Sequence, residues 1–135
     1  MTYSRHMRVE FNHCDPAGIV FYPRYFEMTN SLCENFFREV VGYPYSAMMA
    51  DGIGVPTVRI ETHFAAPSRL GDVLDWRLFV ERLGKTSVTF RAEAWCEAAL
   101  RVTVHLTLVW LSPSHRPAPW PAAIRACLLA QQEKA

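Results

Sequence analysis

Residues 86–111 read TSVTFRAEAWCEAALRVTVHLTLVWL, two long runs in which apolar and polar side chains alternate. In the run Thr86 to Glu97 the apolar set is Val88, Phe90, Ala92, Ala94 and Cys96, and in Arg101 to Leu111 it is Val102, Val104, Leu106, Leu108 and Trp110. A period of two puts successive side chains on opposite faces of an extended chain, so each run predicts a strand with one buried face. The same pattern extends toward the N-terminus. Val73 to Arg82 carries Leu74, Trp76, Leu78 and Val80, and Thr57 to Phe64 sets Val58, Ile60 and Phe64 against Thr57, Arg59, Glu61 and His63. The linkers are short, PSRLGD at 67–72, LGK at 83–85 and AAL around 99. They predict antiparallel hairpins between neighbours, a meander.

Ahead of this sheet the period changes. Tyr25, Phe26, Thr29, Leu32, Cys33, Phe36, Phe37, Val40 and Val41 recur at three- and four-residue steps, with Arg24, Glu27, Glu34, Arg38 and Glu39 elsewhere. That is one broad buried face of a helix running from about Pro23 to Val41. Pro23 suits a helix start and Gly42 followed by Pro44 suits a stop. Tyr45 to Ala50 predicts one more helical turn. A first strand is expected at Arg8 to Asn12 (RVEFN), and a last helix at about 121–132 carries Ile124, Cys127 and Leu128 after the Pro-rich segment 112–121. The expectation is one α+β domain over residues 1–135, a long helix laid on an antiparallel sheet of about five strands. The sheet's outer face mixes Arg59, Glu61, Arg77, Glu81, Arg91, Glu93, Arg101 and His105 with Phe79, Trp95, Val109 and Leu111, which predicts contact in part with solvent and in part with another subunit.

The 135 residues carry 14 Lys and Arg against 13 Asp and Glu, a formal net charge of +1. No global field is available for a nucleic-acid backbone, so an anionic ligand must be held locally. The four cysteines Cys14, Cys33, Cys96 and Cys127 include no C-x-x-C pair, and the charged N-terminus is unlike a secretory signal. Reduced thiols in the cytoplasm are expected. The five histidines have no metal-ligand spacing, no apolar run reaches the ~20 residues of a membrane span, and no P-loop, dinucleotide-binding or nucleophile-elbow motif occurs.

What remains is the segment CDPAGIVFYPRYF, Cys14 to Phe26, joining the first strand to the long helix. Ile19, Val20 and Phe21 are an unusual apolar load for a solvent loop. Asp15 lies seven residues before Tyr22, so the chain can fold back and set a carboxylate beside a helix N-terminus. A helix start offers unsatisfied N–H groups and about half a positive charge, a site for a carbonyl oxygen that becomes negative under attack. Pro23 has no N–H, which leaves Tyr22, Arg24 and Tyr25 as donors, Tyr22 first. The carboxylate can attack an acyl carbon or take a proton from water. The plain alternative is that Asp-Pro forms a turn and the carboxylate only satisfies local N–H groups. The turn ERLGKTS, Glu81 to Ser87, gathers Arg82, Lys85, Thr86 and Ser87 around Gly84. These can hold a phosphate, or simply cap a solvated hairpin.

The stretches DPAGIVFYPRYF, GIGVPTVRIETHF, PSRLGDVLDW and GKTSVTFRAEAW, in this order, resemble the 4-hydroxybenzoyl-CoA thioesterase family of the hot-dog superfamily. The resemblance spans about residues 8 to 111, and the first motif is the specific one. It implies a hot-dog fold, dimers joined at their sheet edges and often paired into tetramers, active sites between subunits, and an acyl-CoA substrate with no cofactor beyond the CoA it carries. By the same resemblance Asp15 matches the catalytic aspartate, and Tyr22 the residue whose backbone N–H polarises the thioester carbonyl. Lys85, Thr86 and Ser87 lie where relatives contact the CoA arm. Pro23 replaces the histidine of another branch, removing that branch's two-residue mechanism. The segment between Gly42 and Pro56 is shorter than in hydroxybenzoyl-specific relatives, while Phe21, Tyr22, Tyr25 and Tyr45 supply aromatic surface for an aryl or short acyl group. Two rivals stay open: a non-catalytic acyl-CoA binding protein, and a hydroxyacyl-thioester dehydratase, for which His13 is the one histidine near the motif.

Overall fold

In a computed structural model, described here over residues 2–132, the sheet has five strands. They are β1 (Tyr3–Arg8), β2 (Thr57–Phe64), β3 (Val73–Leu83), β4 (Ser87–Cys96) and β5 (Ala99–Val109). Helix α1 (Arg24–Phe36) continues into a π-wound turn (Phe37–Val41), and α2 (Tyr45–Ala50) and α3 (Ala122–Ala130) complete the set. Every pairing is antiparallel, in the order β1-β3-β4-β5-β2.

The alternation in β3, β4 and β5 comes out as predicted. Leu74, Trp76, Leu78, Val80, Val88, Phe90, Ala92, Ala94, Val102, Val104, Leu106 and Leu108 are buried in the core. From the helix come Tyr25, Met28, Thr29, Leu32, Cys33 and Phe36. Phe36 meets the ring edges of Tyr3, Phe37 and Phe90, and Tyr25 packs on Trp76. The Phe37 carbonyl accepts the N–H groups of both Gly42 and Tyr43, with Gly42 at φ 77°, so the helix stops where its glycine was expected to stop it.

Four expectations need correction. The first strand is Tyr3–Arg8, not Arg8 to Asn12, because Glu10 and His13 exchange bonds that wind Phe11–His13 into a 3-10 turn and leave Phe11 exposed. The sheet is not a full meander. β2 pairs with β5 rather than with β3, and the loop at 65–72 passes the ends of both β5 and β4. Strands β2 and β3 lie three spacings apart, about 14 Å, which this loop covers easily. The residues that turn β4 into β5 are Glu97 and Ala98, so the turn comes slightly earlier than the AAL around 99 and shares only Ala98 with it. Finally, Val58, Ile60 and Phe64 do not all share a side of β2: a bulge between Thr57 and Arg59 puts Thr57 with Ile60 on the helix side and Val58 on an outer-face cavity with Arg59 and Glu61, and all three apolar residues are exposed because β2 is an edge strand.

The crossing loop is fastened by Arg101 at the start of β5. Its backbone carbonyl accepts the N–H groups of Ala65 and Ala66. Its guanidinium donates to the Pro67 carbonyl at 3.0 Å, Ser68 Oγ at 3.2 Å and Asp72 Oδ2 at 2.8 Å. Asp72 also accepts the Arg69 N–H at 2.9 Å. That backbone donor, and then the Arg101 guanidinium, hold the Asp72 carboxyl below its ordinary value.

On the outer face Arg91 stacks over Phe79 and Arg77 over Trp95, while Arg91 pairs with Glu93, Arg77 with Asp75 and His105 with Glu81. Helix α3 docks through Ile124 and Leu128, and Trp120 ties the Pro-rich segment to the β3–β4 turn through bonds to Lys85 and Ser87 carbonyls. Cys127 is half-buried there.

Glu97 and Ala98 both sit in the left-handed region, at φ 49° and 67°, a turn that glycine and asparagine favour. Ala98→Gly should therefore stabilise the fold by about 1 kcal/mol, read as a higher urea midpoint. Asp72 gives a second expectation. A carboxyl lowered in the folded state contributes stability that is present above its unfolded value, ~3.9, and is lost as the pH falls through the folded one. Asp72→Asn should lower the urea midpoint at pH 7 and flatten its decline below about pH 4. An unchanged acid limb would refute this.

Candidate active site

The loop 14–20 folds back on itself as a small hairpin. Cys14 faces Val20 in an antiparallel bridge, the Asp15 N–H donates to the Ile19 carbonyl at 3.0 Å, and the Phe21 N–H donates to the His13 carbonyl at 2.9 Å. Gly18, at φ 80°, makes the bend. The apolar load is accounted for. Val20 is buried, its N–H bonds the Ser68 carbonyl, and Ile19 bridges Arg69, so the hairpin is laced to the loop that Arg101 fastens.

Asp15 is half-buried on one arm of this hairpin. Its Oδ1 accepts the Ala17 N–H at 2.8 Å, the turn-forming role, while Oδ2 has no hydrogen-bond partner among the described residues. The other arm leads into α1. At its tip the Arg24 N–H donates to Phe21 O at 2.9 Å, the Tyr25 N–H to Tyr22 O at 3.2 Å and the Phe26 N–H to Pro23 O at 3.1 Å. Pro23 has no N–H to give. Of the three donors named from sequence, Tyr22 alone keeps a free amide among the described residues.

The Tyr22 ring, largely exposed, meets Phe21, Phe26 and Phe64 edge-on at 5.5, 6.5 and 6.3 Å between centroids. Phe21 is exposed beside it. Tyr25 is instead buried between Phe64 and Trp76, a core residue beneath the site rather than a lining one. His13 accepts the Glu10 N–H at Nδ1, 2.8 Å away, and so closes the 3-10 turn.

Arg82, Lys85, Thr86 and Ser87 are not brought to Asp15 within one chain. The hairpin they form lies at the end of β3, whereas the Asp15 loop lies at its beginning beside Val73. The ten steps from Val73 to Leu83 put about 33 Å between them. Arg82 and Ser87 line an outer-face cavity of about 880 Å³ with Arg59, Glu81 and His105. The Lys85 and Thr86 carbonyls are taken by Trp120 and Trp110 amides. At Gly84 a Cβ would come within 2.8 Å of Ser87 Oγ, so a larger residue there needs the Ser87 hydroxyl to move.

A groove of about 330 Å³ between α1 and β2 went unread in the sequence apart from Tyr45. Phe26, Thr29, Asn30 and Cys33 line one side and Thr57 and Ile60 the other. The helical spacing 22, 26, 29, 33 carries the signal. The same groove continues the aromatic surface of Tyr22 and Phe64. Burial pushes the Cys33 thiol up to about 12, so it stays protonated. The clasp by Arg101, Ser68 and Asp72 was missed as well. Among the described residues no three His, Cys, Asp or Glu side chains gather as a metal site requires, and no helix is long and apolar enough to cross a membrane.

Known proteins resemble this chain in sequence and in fold. The model of the thioesterase-like superfamily matches residues 9–128. The 4-hydroxybenzoyl-CoA thioesterase of Pseudomonas sp. (strain CBS-3) is 31% identical, over 56% of this chain and 61% of that enzyme, so the match spans about three fifths of the relative's length. A putative esterase of Aquifex aeolicus (strain VF5) is 30% identical over 67% of this chain and 70% of its own. The structure of a gentisyl-coenzyme A thioesterase, 28% identical, superposes with a TM-score of 0.86 over 93% of this chain and 99% of that one. With the long helix, the five-stranded order and the matched residues in agreement, this chain belongs to the thioesterase-like superfamily and has the hot-dog fold.

Proposed function

We propose that this protein hydrolyses the thioester of a small acyl-CoA, an aromatic acyl group included, to the free acid and CoA. The observation that carries the reading is the pairing on one hairpin of a carboxylate with an unengaged oxygen, Asp15 Oδ2, and an unengaged amide at a helix tip, Tyr22. The thioester oxygen accepts the Tyr22 N–H, where the helix dipole favours the charge that develops on it. Asp15 then acts in one of two ways. As a nucleophile it bonds to the acyl carbon, expels the CoA thiolate and leaves a mixed anhydride for water to open. As a base it takes a proton from water, whose oxygen attacks instead. Both routes consume one water and release one thiol. The chemistry needs no metal or redox cofactor.

A second copy of the chain completes the site in this reading. The unpaired β2 edge, with Val58, Ile60 and Phe64 exposed, suits pairing with another protomer, giving a homodimer or homotetramer. Arg82, Lys85, Thr86 and Ser87 then hold the CoA phosphates or arm for a neighbour's acid, since they are too distant from their own. Phe21 and Tyr22 face the acyl end. The free thiols of Cys14, Cys33, Cys96 and Cys127 suit the reducing cytoplasm.

Asp15→Asn should lower kcat for thiol release by at least about 10² to 10³ with an unchanged circular dichroism spectrum. Wild-type turnover by that variant rejects the assignment. Saturable CoA-ester binding without thiol release by the wild type establishes the binding-protein rival instead. Sedimentation at micromolar concentration should show a dimer or larger species, and a monomer removes the shared site.

A further inference from the structure

We propose that Tyr45, at the start of α2, is the end wall of the acyl groove and sets the greatest length of acyl group the protein accepts, a reach of about eight carbons. The inference rests on the thioesterase reading for the identity of the occupant, and on the groove's own geometry for its size.

Both sides of the groove give the same length. On the helix side it runs from Phe26 to Cys33, seven residues or about 10 Å at the rise of an α-helix. On the strand side it runs from Ile60 to Thr57, three residues or about 10 Å at the rise of a β-strand. The two elements are antiparallel here, because Phe64 touches Tyr22 and Tyr25 at the helix start. One end of the groove therefore opens toward the Tyr22 amide, and the other meets Tyr45, Val55 and Pro56. Leu106 and Leu108 make an apolar floor. An extended hydrocarbon advances roughly 1.3 Å per bond, so ~10 Å takes about eight carbons, or one ring with a substituent.

Tyr45 is a fixed wall rather than a swinging one. Its ring packs on Phe37 at 5.9 Å, and α2 is anchored behind it by the Ala47 and Met48 N–H groups on the Pro44 carbonyl and by the burial of Met48. Burial also raises its phenol above the ordinary range, so the wall is neutral and does not repel an apolar tail. Its hydroxyl has no partner among the described residues.

The test is a series of straight-chain acyl-CoA esters from four to sixteen carbons, read by thiol release with the wild type, Tyr45→Phe and Tyr45→Ala. The same series is titrated calorimetrically into Asp15→Asn and Asp15→Asn/Tyr45→Ala. In the wild type and Tyr45→Phe, kcat/KM should rise about fourfold per added methylene and then fall at least tenfold past about eight carbons. In Tyr45→Ala the fall should move out by about four carbons, and the binding series should show the same displacement. If Tyr45→Ala does not fold, Tyr45→Leu keeps an apolar group against Phe37 and should move the limit by one or two carbons. Thiol release with the same cut-off in every variant overturns the proposal and leaves the thioesterase reading intact. Binding displaced by Tyr45→Ala with no thiol released from any ester supports the end wall and overturns the hydrolase.

Discussion

The Arg101 guanidinium holds together parts of the chain that the sheet alone would leave apart. Strand β2 sits at one edge with β5 and β4 between it and β3, and the segment joining β2 to β3 must cross an end of the sheet without a ladder of its own. Arg101 meets it with donors to Pro67, Ser68 and Asp72 and with a carbonyl to Ala65 and Ala66. The crossing segment in turn accepts the Val20 amide and bridges Ile19. A single cation thus fixes, through one intermediate layer, the hairpin that carries the acid. For the proposed hydrolysis such a layer matters because an acid placed loosely loses most of its rate advantage.

At the helix tip the selection is made by subtraction. An α-helix begins with donors it cannot use internally. Here Pro23 removes one, and tight turns back to Phe21, Tyr22 and Pro23 absorb the next three. The amide that survives is the one immediately before the proline. The Asp15 carboxylate is half engaged, one oxygen accepting the Ala17 N–H within the turn that Gly18 closes and the other without a partner among the described residues, so in the proposed reaction turn former and reactive group would be the same side chain.

Much of this was legible in the residues. The alternation in β3 to β5 named the buried positions because period two is a local property, and the helix declared its limits through Pro23 and Gly42. The partner of β2 was not legible. Alternation says which face is buried and nothing about which strand lies alongside, and the linker at 67–72 is short enough for either arrangement. The Arg8 to Asn12 strand failed because reciprocal Glu10 and His13 bonds outweigh two alternating apolar residues. Asp15 and Tyr22 could be chosen from spacing to a helix start. Arg101 could not, since on paper it was one more charge on a polar strand face. Cys33 read as core and is core, yet it also borders the groove, a dual position that periodicity does not distinguish.

The donor at the helix tip belongs to the main chain. Replacing the Tyr22 side chain by any residue except proline leaves that N–H in place, whereas no change at position 15 can keep a carboxylate unless it inserts glutamate with a longer arm. The two halves of the site therefore present very unequal targets to mutation. Under the proposed mechanism, drift can remodel the aromatic surroundings and with them the choice of acyl group, while the acid itself hangs on a single codon.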